Sequence, residues 1–253
     1  MSKDHEFTQH VGIGLGNLAA RTESAVGASA KNKTLTIAEI LAEAPPATRE
    51  ESLKLVQRLF LAPEQKPPKA VVFAAIDSGN GCTRLCAIMA QLLAENVSGS
   101  VCLVEGNFRT PSLPGLFGVD NHHGLADSLR QGGAIRSFAK QAGRDNVWLL
   151  SSGSLRKDSV NLLNCDRMRE RIAELRSAFD YVLIDAPPLN SYSDAMVFGR
   201  LADGIVLVLE ANATRREAAA RVAERLQAAR IPVLGAVLNK RTFPIPSALY
   251  KRI

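Results

Sequence analysis

The feature that most limits the fold of this chain is a series of six short apolar segments without alternating polar residues. They span residues 71–76, 101–104, 147–150, 181–184, 205–209 and 233–238. Such segments are typical of strands buried on both faces, as in a parallel sheet. Helical patterns lie between them, at residues 83–95, at 168–179 and after Thr214. The alternation predicts an α/β fold, a three-layer sandwich with a mostly parallel, doubly wound sheet.

Composition and charge narrow the class of protein. Of 253 residues, 46% are hydrophobic and 22% charged, which excludes wholesale disorder. The net charge of +6 permits an anionic partner, but the basic residues are dispersed, so we predict no nucleic-acid interface. No apolar segment reaches the roughly 18 residues that a membrane helix needs, and the charged N terminus does not resemble a signal peptide. We therefore expect a cytoplasmic protein.

Glycines and prolines divide the chain near residue 48. Residues 1–47 combine scattered glycines with polar residues, so we predict a flexible N-terminal arm with one short helix at 37–44. Residues 48–253 form the predicted domain and its C-terminal tail. Thr48 with Glu51, and Thr214 with Glu217, have the spacing of a capping box, which predicts helix starts at both places.

Polar residues follow three of the predicted strands, at the point where each strand ends. A glycine-rich turn, residues 77–83 (DSGNGCT), joins the first strand to a helix, and such turns direct backbone N–H groups at a phosphate. Glu105 and Asn107 follow the second strand, and Asp185 ends the fourth in a Walker B type position for Mg²⁺. Because ligands bind beyond the carboxyl ends of parallel strands, these residues predict a P-loop NTPase-like site.

These motifs resemble those of the bacterial tyrosine autokinase family, the cytoplasmic CpsD, CapB and Wzc type proteins of capsule and exopolysaccharide synthesis. The family pattern has S-x-x-P-G-E-G-K-[ST] after one strand, and D-x-D-x-R-x-P and D-x-P-P after two others. The corresponding segments here are residues 75–83 (AIDSGNGCT), 105–111 (EGNFRTP) and 185–188 (DAPP). The resemblance extends from about residue 48 to the C terminus and is weaker toward the related MinD and ParA ATPases.

The resemblance implies ATP and Mg²⁺ as ligands and assigns roles to individual residues. The implied nucleotide-binding residues are Gly79, Asn80, Gly81, Cys82, Thr83 and Asn239. Thr83 and Asp185 would hold Mg²⁺, and Asp185, Glu105 and Asn107 would line the catalytic centre. Tyr250, the one tyrosine of the C-terminal tail, would be the phosphoacceptor, and simple packing of its ring is the alternative.

Three charged positions of the family pattern differ in this chain. Cys82 stands where the family has the lysine that contacts the β- and γ-phosphates, Glu105 replaces one aspartate and Asn107 replaces another. Removing a group that stabilises developing charge costs about 10²-fold or more in rate, so the resemblance predicts impaired phosphoryl transfer. A thiol at a helix N terminus can also have a low pKa, so a reactive Cys82 is an alternative interpretation.

The resemblance implies a regulatory partner of a membrane polysaccharide co-polymerase, a chain-length regulator, placed at the inner membrane through that partner. Two alternatives stay open. One is an active tyrosine autokinase that phosphorylates its own tail, and the other is a MinD/ParA-like membrane-associated ATPase. Residues 51–58 (ESLKLVQR) correspond to the helix through which the family forms ring-shaped oligomers. Lys54 would replace an arginine there without its planar fork, so homo-oligomerisation also stays open.

Overall fold

The computed structural model describes residues 12–16, 36–43, 46–62, 67–156 and 159–241. The strands are β1 (Gly12–Gly16), β2 (Ala70–Ala75), β3 (Val101–Glu105), β4 (Lys140–Gln141), β5 (Val147–Leu150), β6 (Tyr181–Ala186), β7 (Gly204–Glu210) and β8 (Val233–Arg241). The α-helices are α1 (Ile37–Glu43), α2 (Pro46–Phe60), α3 (Cys82–Asn96), α4 (Leu113–Phe117), α5 (Leu125–Arg130), α6 (Asp166–Ala178), α7 (Asp194–Leu201) and α8 (Arg216–Ala228). None of the described helices has both the length and the apolar character needed to cross a bilayer.

The described strands form one sheet in the order β1-β8-β7-β2-β6-β3-β5-β4. Every neighbouring pair is parallel except β4 and β5. All six predicted apolar segments are strands of this sheet, so the predicted fold class is confirmed. The three strands that end in polar residues, β2, β6 and β3, are adjacent, and Glu105 lies in register beside Asp185. Their polar ends therefore meet at one edge of the sheet.

Helices cover both faces of the sheet and enclose two separate cores. Alternate residues of β2 enter different cores: Val71 and Phe73 pack with residues of α1, α2 and α3, whereas Val72 and Ala74 pack with residues of α5 to α8. All four side chains are fully buried. Because each face of the strand loses its apolar area to a helix layer, neither face can be polar. This two-sided burial explains the unbroken apolar segments of the sequence.

Both predicted capping boxes are wrong. Helix α2 begins at Pro46, so Thr48 lies inside the helix and is buried there. The Thr214 hydroxyl instead accepts a hydrogen bond from the Glu210 N–H at 2.9 Å, which closes the turn after β7. A capping box does occur at α1, where the Glu39 carboxylate accepts from the Thr36 N–H at 2.7 Å and Thr36 Oγ1 accepts from the Glu39 N–H at 3.4 Å.

Helix α1 matches the short helix predicted at 37–44, whereas strand β1 lies in the part of residues 1–47 that was predicted to be flexible. Strand β1 pairs in parallel with β8, with Ile13 opposite Val237. Helix α1 places Ile37 and Ile40 in the same core as α3. Three of the five residues of β1 are glycine, which has a low strand propensity, so the residue pattern did not predict a strand there. The division of the chain at residue 48 stays a prediction.

Candidate functional site

The turn between β2 and α3 has the backbone shape of an anion-binding loop. Gly79 and Gly81 have φ angles of +85° and +80°, which only glycine adopts without strain. A Cβ at Gly81 would also lie 2.6 Å from Asn239 Nδ2, so a side chain there would have to displace the Asn239 amide. The turn leads directly into α3, where unpaired N–H groups and the helix dipole favour an anion.

Two asparagines hold this turn against the end of β8. The Asn239 amide donates to the Asn80 carbonyl at 2.8 Å. The Asn80 side chain accepts from the Asp77 N–H at 2.9 Å and donates to Glu210 at 3.2 Å, and Lys240 Nζ lies 3.2 Å from the same carboxylate. Asn239 therefore lies at the predicted site, and its amide nitrogen positions the turn.

Thr83 and Asp185, the predicted Mg²⁺ ligands, are in direct contact. Thr83 Oγ1 donates to Asp185 Oδ2 at 2.6 Å, and Oδ1 of the same carboxylate is buried without a hydrogen-bond partner among the described residues. Burial raises the pKa of Asp185 to about 7, against the opposing effect of the Thr83 hydroxyl. A buried carboxylate oxygen without a partner is costly, and a cation would relieve that cost. Thr83 and Asp185 would hold Mg²⁺ through a hydroxyl and a carboxylate oxygen, which are ligand types that this cation prefers.

Glu105 lies beside Asp185 and also binds the backbone at the start of α4. Its Oε2 accepts from the backbone N–H groups of Ser112 and Leu113, at 2.8 and 2.7 Å, which secures the start of α4. Its Oε1 is buried without a partner in the described part of the chain. Burial, reinforced by the charge of Asp185, raises the pKa of Glu105 to about 8. The side chain is fully buried and serves the loop after β3.

Asn107 closes the same loop by a local turn. Its Oδ1 accepts from the N–H groups of Arg109 and Thr110, both at 3.1 Å, and its Nδ2 donates to the Thr110 hydroxyl. The Arg109 guanidinium then forms two hydrogen bonds with Asp194, at 3.1 and 3.2 Å, and lies 4.4 Å from the ring centre of Tyr192. Asn107 is thus part of the wall of the site and carries no charge.

The Cys82 thiol is buried and uncharged. It is only 8% exposed and lies beside the Asp185 carboxylate. Burial raises the pKa of Cys82 well above its usual value, and the negative charge of Asp185 raises it further. The structure therefore contradicts the alternative of a reactive thiolate with a low pKa. A thiol also supplies no positive charge at this position.

Two cavities meet at the glycine turn. The larger, about 400 Å³, is lined by residues 77–84 together with the loop after β3 and Tyr192. The smaller, about 220 Å³, lies between α3 and the end of β8. Asn107 lines the larger cavity, whereas Glu105 and Asp185 line neither. Tyr250 lies outside the described residues.

One lining residue, Arg84, was missed by the sequence analysis. It follows Thr83 in the first turn of α3 and lines both cavities. Its signal was its position, because a residue directly after the glycine turn lies in the helical turn that faces a bound anion. Arg84 was not among the predicted site residues because the family motif ends at the preceding residue.

The sheet order and the glycine turn define a P-loop NTPase-like fold, and comparison with solved structures agrees. The kinase domain of the Escherichia coli tyrosine kinase ETK superimposes with a TM-score of 0.78 at 20% identity, covering 94% of each chain. The septum site-determining protein MinD of Pyrococcus horikoshii, solved with Mg-ADP, gives a TM-score of 0.59 at 22% identity, covering 73% of this chain and 76% of that one.

Sequence comparison narrows the class further. The chain is 26% identical over 196 residues to the tyrosine-protein kinase YwqD of Bacillus subtilis, covering 77% of this chain and 82% of that protein. It is 24% identical over 222 residues to the putative tyrosine-protein kinase CapB of Staphylococcus aureus, covering 87% and 97%. No family model matches the chain. The chain is thus related to the bacterial tyrosine-protein kinases, as its motifs predicted.

Proposed function

We propose that this chain is a catalytically impaired relative of the bacterial tyrosine autokinases that binds an adenine nucleotide and acts as a regulatory partner. The observation that carries the proposal is that the phosphate-binding turn and the candidate Mg²⁺ ligands are present, whereas the residues that differ from the family motifs supply no positive charge. The glycine turn and the Thr83–Asp185 contact are present. In contrast, Cys82 is a buried neutral thiol, and Asn107 closes a loop.

The physical reason for impairment is electrostatic. Phosphoryl transfer spreads negative charge over the transferred group, and catalysis depends on cations already placed around it. Bound Mg²⁺ would supply part of that positive charge, held by Thr83 and Asp185. A neutral thiol at position 82 cannot supply the rest. Loss of one such group lowers the rate by about 10²- to 10³-fold.

The partner and pathway follow from the family resemblance. We place the protein in capsule or exopolysaccharide biosynthesis or export, in the cytoplasm and at the inner membrane through a polysaccharide co-polymerase. Co-purification with the co-polymerase of the same organism tests this placement. Recovery of the co-polymerase with the wild-type chain and with Asp185→Ala alike would support a role that does not depend on transfer.

A labelling experiment tests the catalytic part of the proposal. Purified protein is incubated with γ-labelled ATP and Mg²⁺, and phosphotyrosine is compared between the wild-type chain and Asp185→Ala. We expect no signal above background in either. Phosphotyrosine that Asp185→Ala abolishes would establish the active autokinase instead, whereas an equal signal in both proteins would come from a contaminating kinase. ATP-dependent sedimentation with liposomes would favour the MinD/ParA-like alternative.

A further inference from the structure

The two cavities at the glycine turn differ in the chemistry of their walls. The larger contains Thr83, at the edge that fits Mg²⁺. The smaller offers the apolar side chains of Leu85 and Ile88, with Asn239 close by. The wall shared by both cavities consists of Gly79, Gly81 and Arg84. A ligand that extends from one cavity to the other must pass along this shared wall.

We propose that Arg84 binds the phosphate chain of a nucleoside di- or triphosphate that spans both cavities, and so replaces the binding role of the absent lysine. The inference rests on the proposed nucleotide-binding function. The anionic end of such a ligand would lie near Thr83 and its flat base against Leu85 and Ile88. A guanidinium is always charged at physiological pH and can donate two parallel hydrogen bonds to a phosphate.

Two other cations line the cavities, and their positions differ from that of Arg84. Arg109 lines only the larger cavity. Lys240 lines only the smaller cavity. Among the described cations, Arg84 alone lines both cavities.

The position of Arg84 also predicts which part of the ligand it contacts. A group at the junction of the two cavities would lie near the α-phosphate, away from the terminal phosphate beside Thr83. The α-phosphate is neither transferred nor the leaving group, so an interaction with it increases affinity without increasing the rate of transfer. A nucleotide-binding site with impaired chemistry is the expected result of placing the cation there.

Calorimetric titration of the full chain tests the proposal. ADP and a non-hydrolysable ATP analogue, each with Mg²⁺, are titrated into the wild-type chain, Arg84→Ala, Arg84→Lys and the matched control Arg221→Ala. Arg221 is an exposed arginine on α8. We expect Arg84→Ala to weaken both nucleotides by about tenfold to hundredfold, as for loss of a hydrogen bond to a charged group. Arg84→Lys should recover part of the loss, and Arg221→Ala should bind like the wild-type chain.

The outcomes separate this inference from the proposed function. If the wild-type chain binds ADP and Arg84→Ala binds it equally well, the inference is wrong and nucleotide binding stands. Weakening of the ATP analogue alone would also overturn it, because the contact would then be to the terminal phosphate. If the wild-type chain binds neither nucleotide, the proposed nucleotide binding itself fails. Thermal unfolding of each variant, and recovery of affinity in Arg84→Lys, distinguish a lost contact from a misfolded protein.

Discussion

At the residue scale, the three site residues that differ from the family motifs, Cys82, Glu105 and Asn107, each make contacts that stabilise the fold. The Glu105 carboxylate accepts two backbone N–H groups at the start of α4, and the Asn107 amide closes the loop between them. Cys82 fills buried space beside Asp185. These contacts stabilise the loop and the core whether or not a phosphoryl group is transferred. Changes at all three positions are therefore compatible with a stable protein.

The raised pKa of Cys82 gives a prediction about thiol reactivity. A thiol must ionise to attack an alkylating reagent, and burial opposes ionisation. We expect Cys82, Cys86 and Cys102, which are all buried, to resist iodoacetamide at pH 8 in the folded protein, whereas the partly exposed Cys165 is modified. Mass spectrometry of time points gives the order of modification. Rapid modification of Cys82 before Cys165 would contradict the burial described here, and the denatured chain provides the control in which all four react.

At the element scale, the turn between β2 and α3 depends on glycine for two different reasons. At Gly79 the requirement is the positive φ angle alone, since a Cβ there would meet nothing within 4 Å. At Gly81 the positive φ angle is combined with the contact to Asn239 Nδ2. The amide that would be displaced also holds the Asn80 carbonyl. A side chain at Gly81 would thus disturb the turn and the end of β8 together.

Alanine substitutions measure this difference. We expect Gly79→Ala to lower the free energy of unfolding by about 1–2 kcal/mol, the cost of a left-handed conformation for a residue with a Cβ. Gly81→Ala should cost more, because the contact with Asn239 must also be relieved. Urea denaturation of both variants gives the comparison. Equal losses, or a larger loss for Gly79→Ala, would contradict the prediction, because the Asn239 side chain would then move aside without cost.

The elements also show which parts of the fold and site could be predicted from the sequence. The six apolar segments predicted the sheet, because a strand that is buried on both faces has an unbroken apolar sequence. The family resemblance paired Thr83 with Asp185 as Mg²⁺ ligands, and the structure places the two side chains in contact. The role of Glu105 could not be predicted, because the N–H groups of Ser112 and Leu113 reach it only after the intervening loop folds back. The predicted capping box at Thr214 was wrong because a threonine hydroxyl can close a turn, as it does here with the Glu210 N–H, as readily as it can cap a helix.

At the scale of the whole molecule, two buried carboxyl groups lie side by side at the carboxyl ends of the adjacent strands β3 and β6. Glu105 and Asp185 are in register on β3 and β6, and each has one oxygen without a described partner. Burial raises both pKa values, so the folded protein holds protons that the unfolded chain would release. The stability of the entire domain is therefore linked to pH through this pair.

The sign of this linkage follows from the raised pKa values. Between the ordinary carboxyl pKa near 4 and the folded values of about 8 for Glu105 and about 7 for Asp185, the folded state binds more protons. Stability from the pair is fully present below the unfolded pKa values and is lost as the pH rises through the folded ones. We expect the urea midpoint to be lower at pH 8.5 than at pH 5.5. The corresponding decrease in the free energy of unfolding should be on the order of a few kcal/mol.

Glu105→Gln is the matched variant for this prediction. Its amide oxygen can still accept the two N–H groups at the start of α4, but the side chain no longer titrates. We expect the fall in stability between pH 5.5 and pH 8.5 to be smaller in Glu105→Gln than in the wild-type chain. Parallel profiles for the two proteins would mean that the carboxyl pair does not contribute to the linkage.

Strand β1 has a consequence for shortened versions of the chain. It covers the outer edge of β8, with Gly12 opposite Ala236. Without residues 1–16, β8 would present a row of unsatisfied amide and carbonyl groups to solvent, and such rows recruit strands from other molecules. Removal of residues 1–16 should therefore increase self-association of the chain. Dynamic light scattering of the trimmed chain would report this as particle growth that increases with concentration.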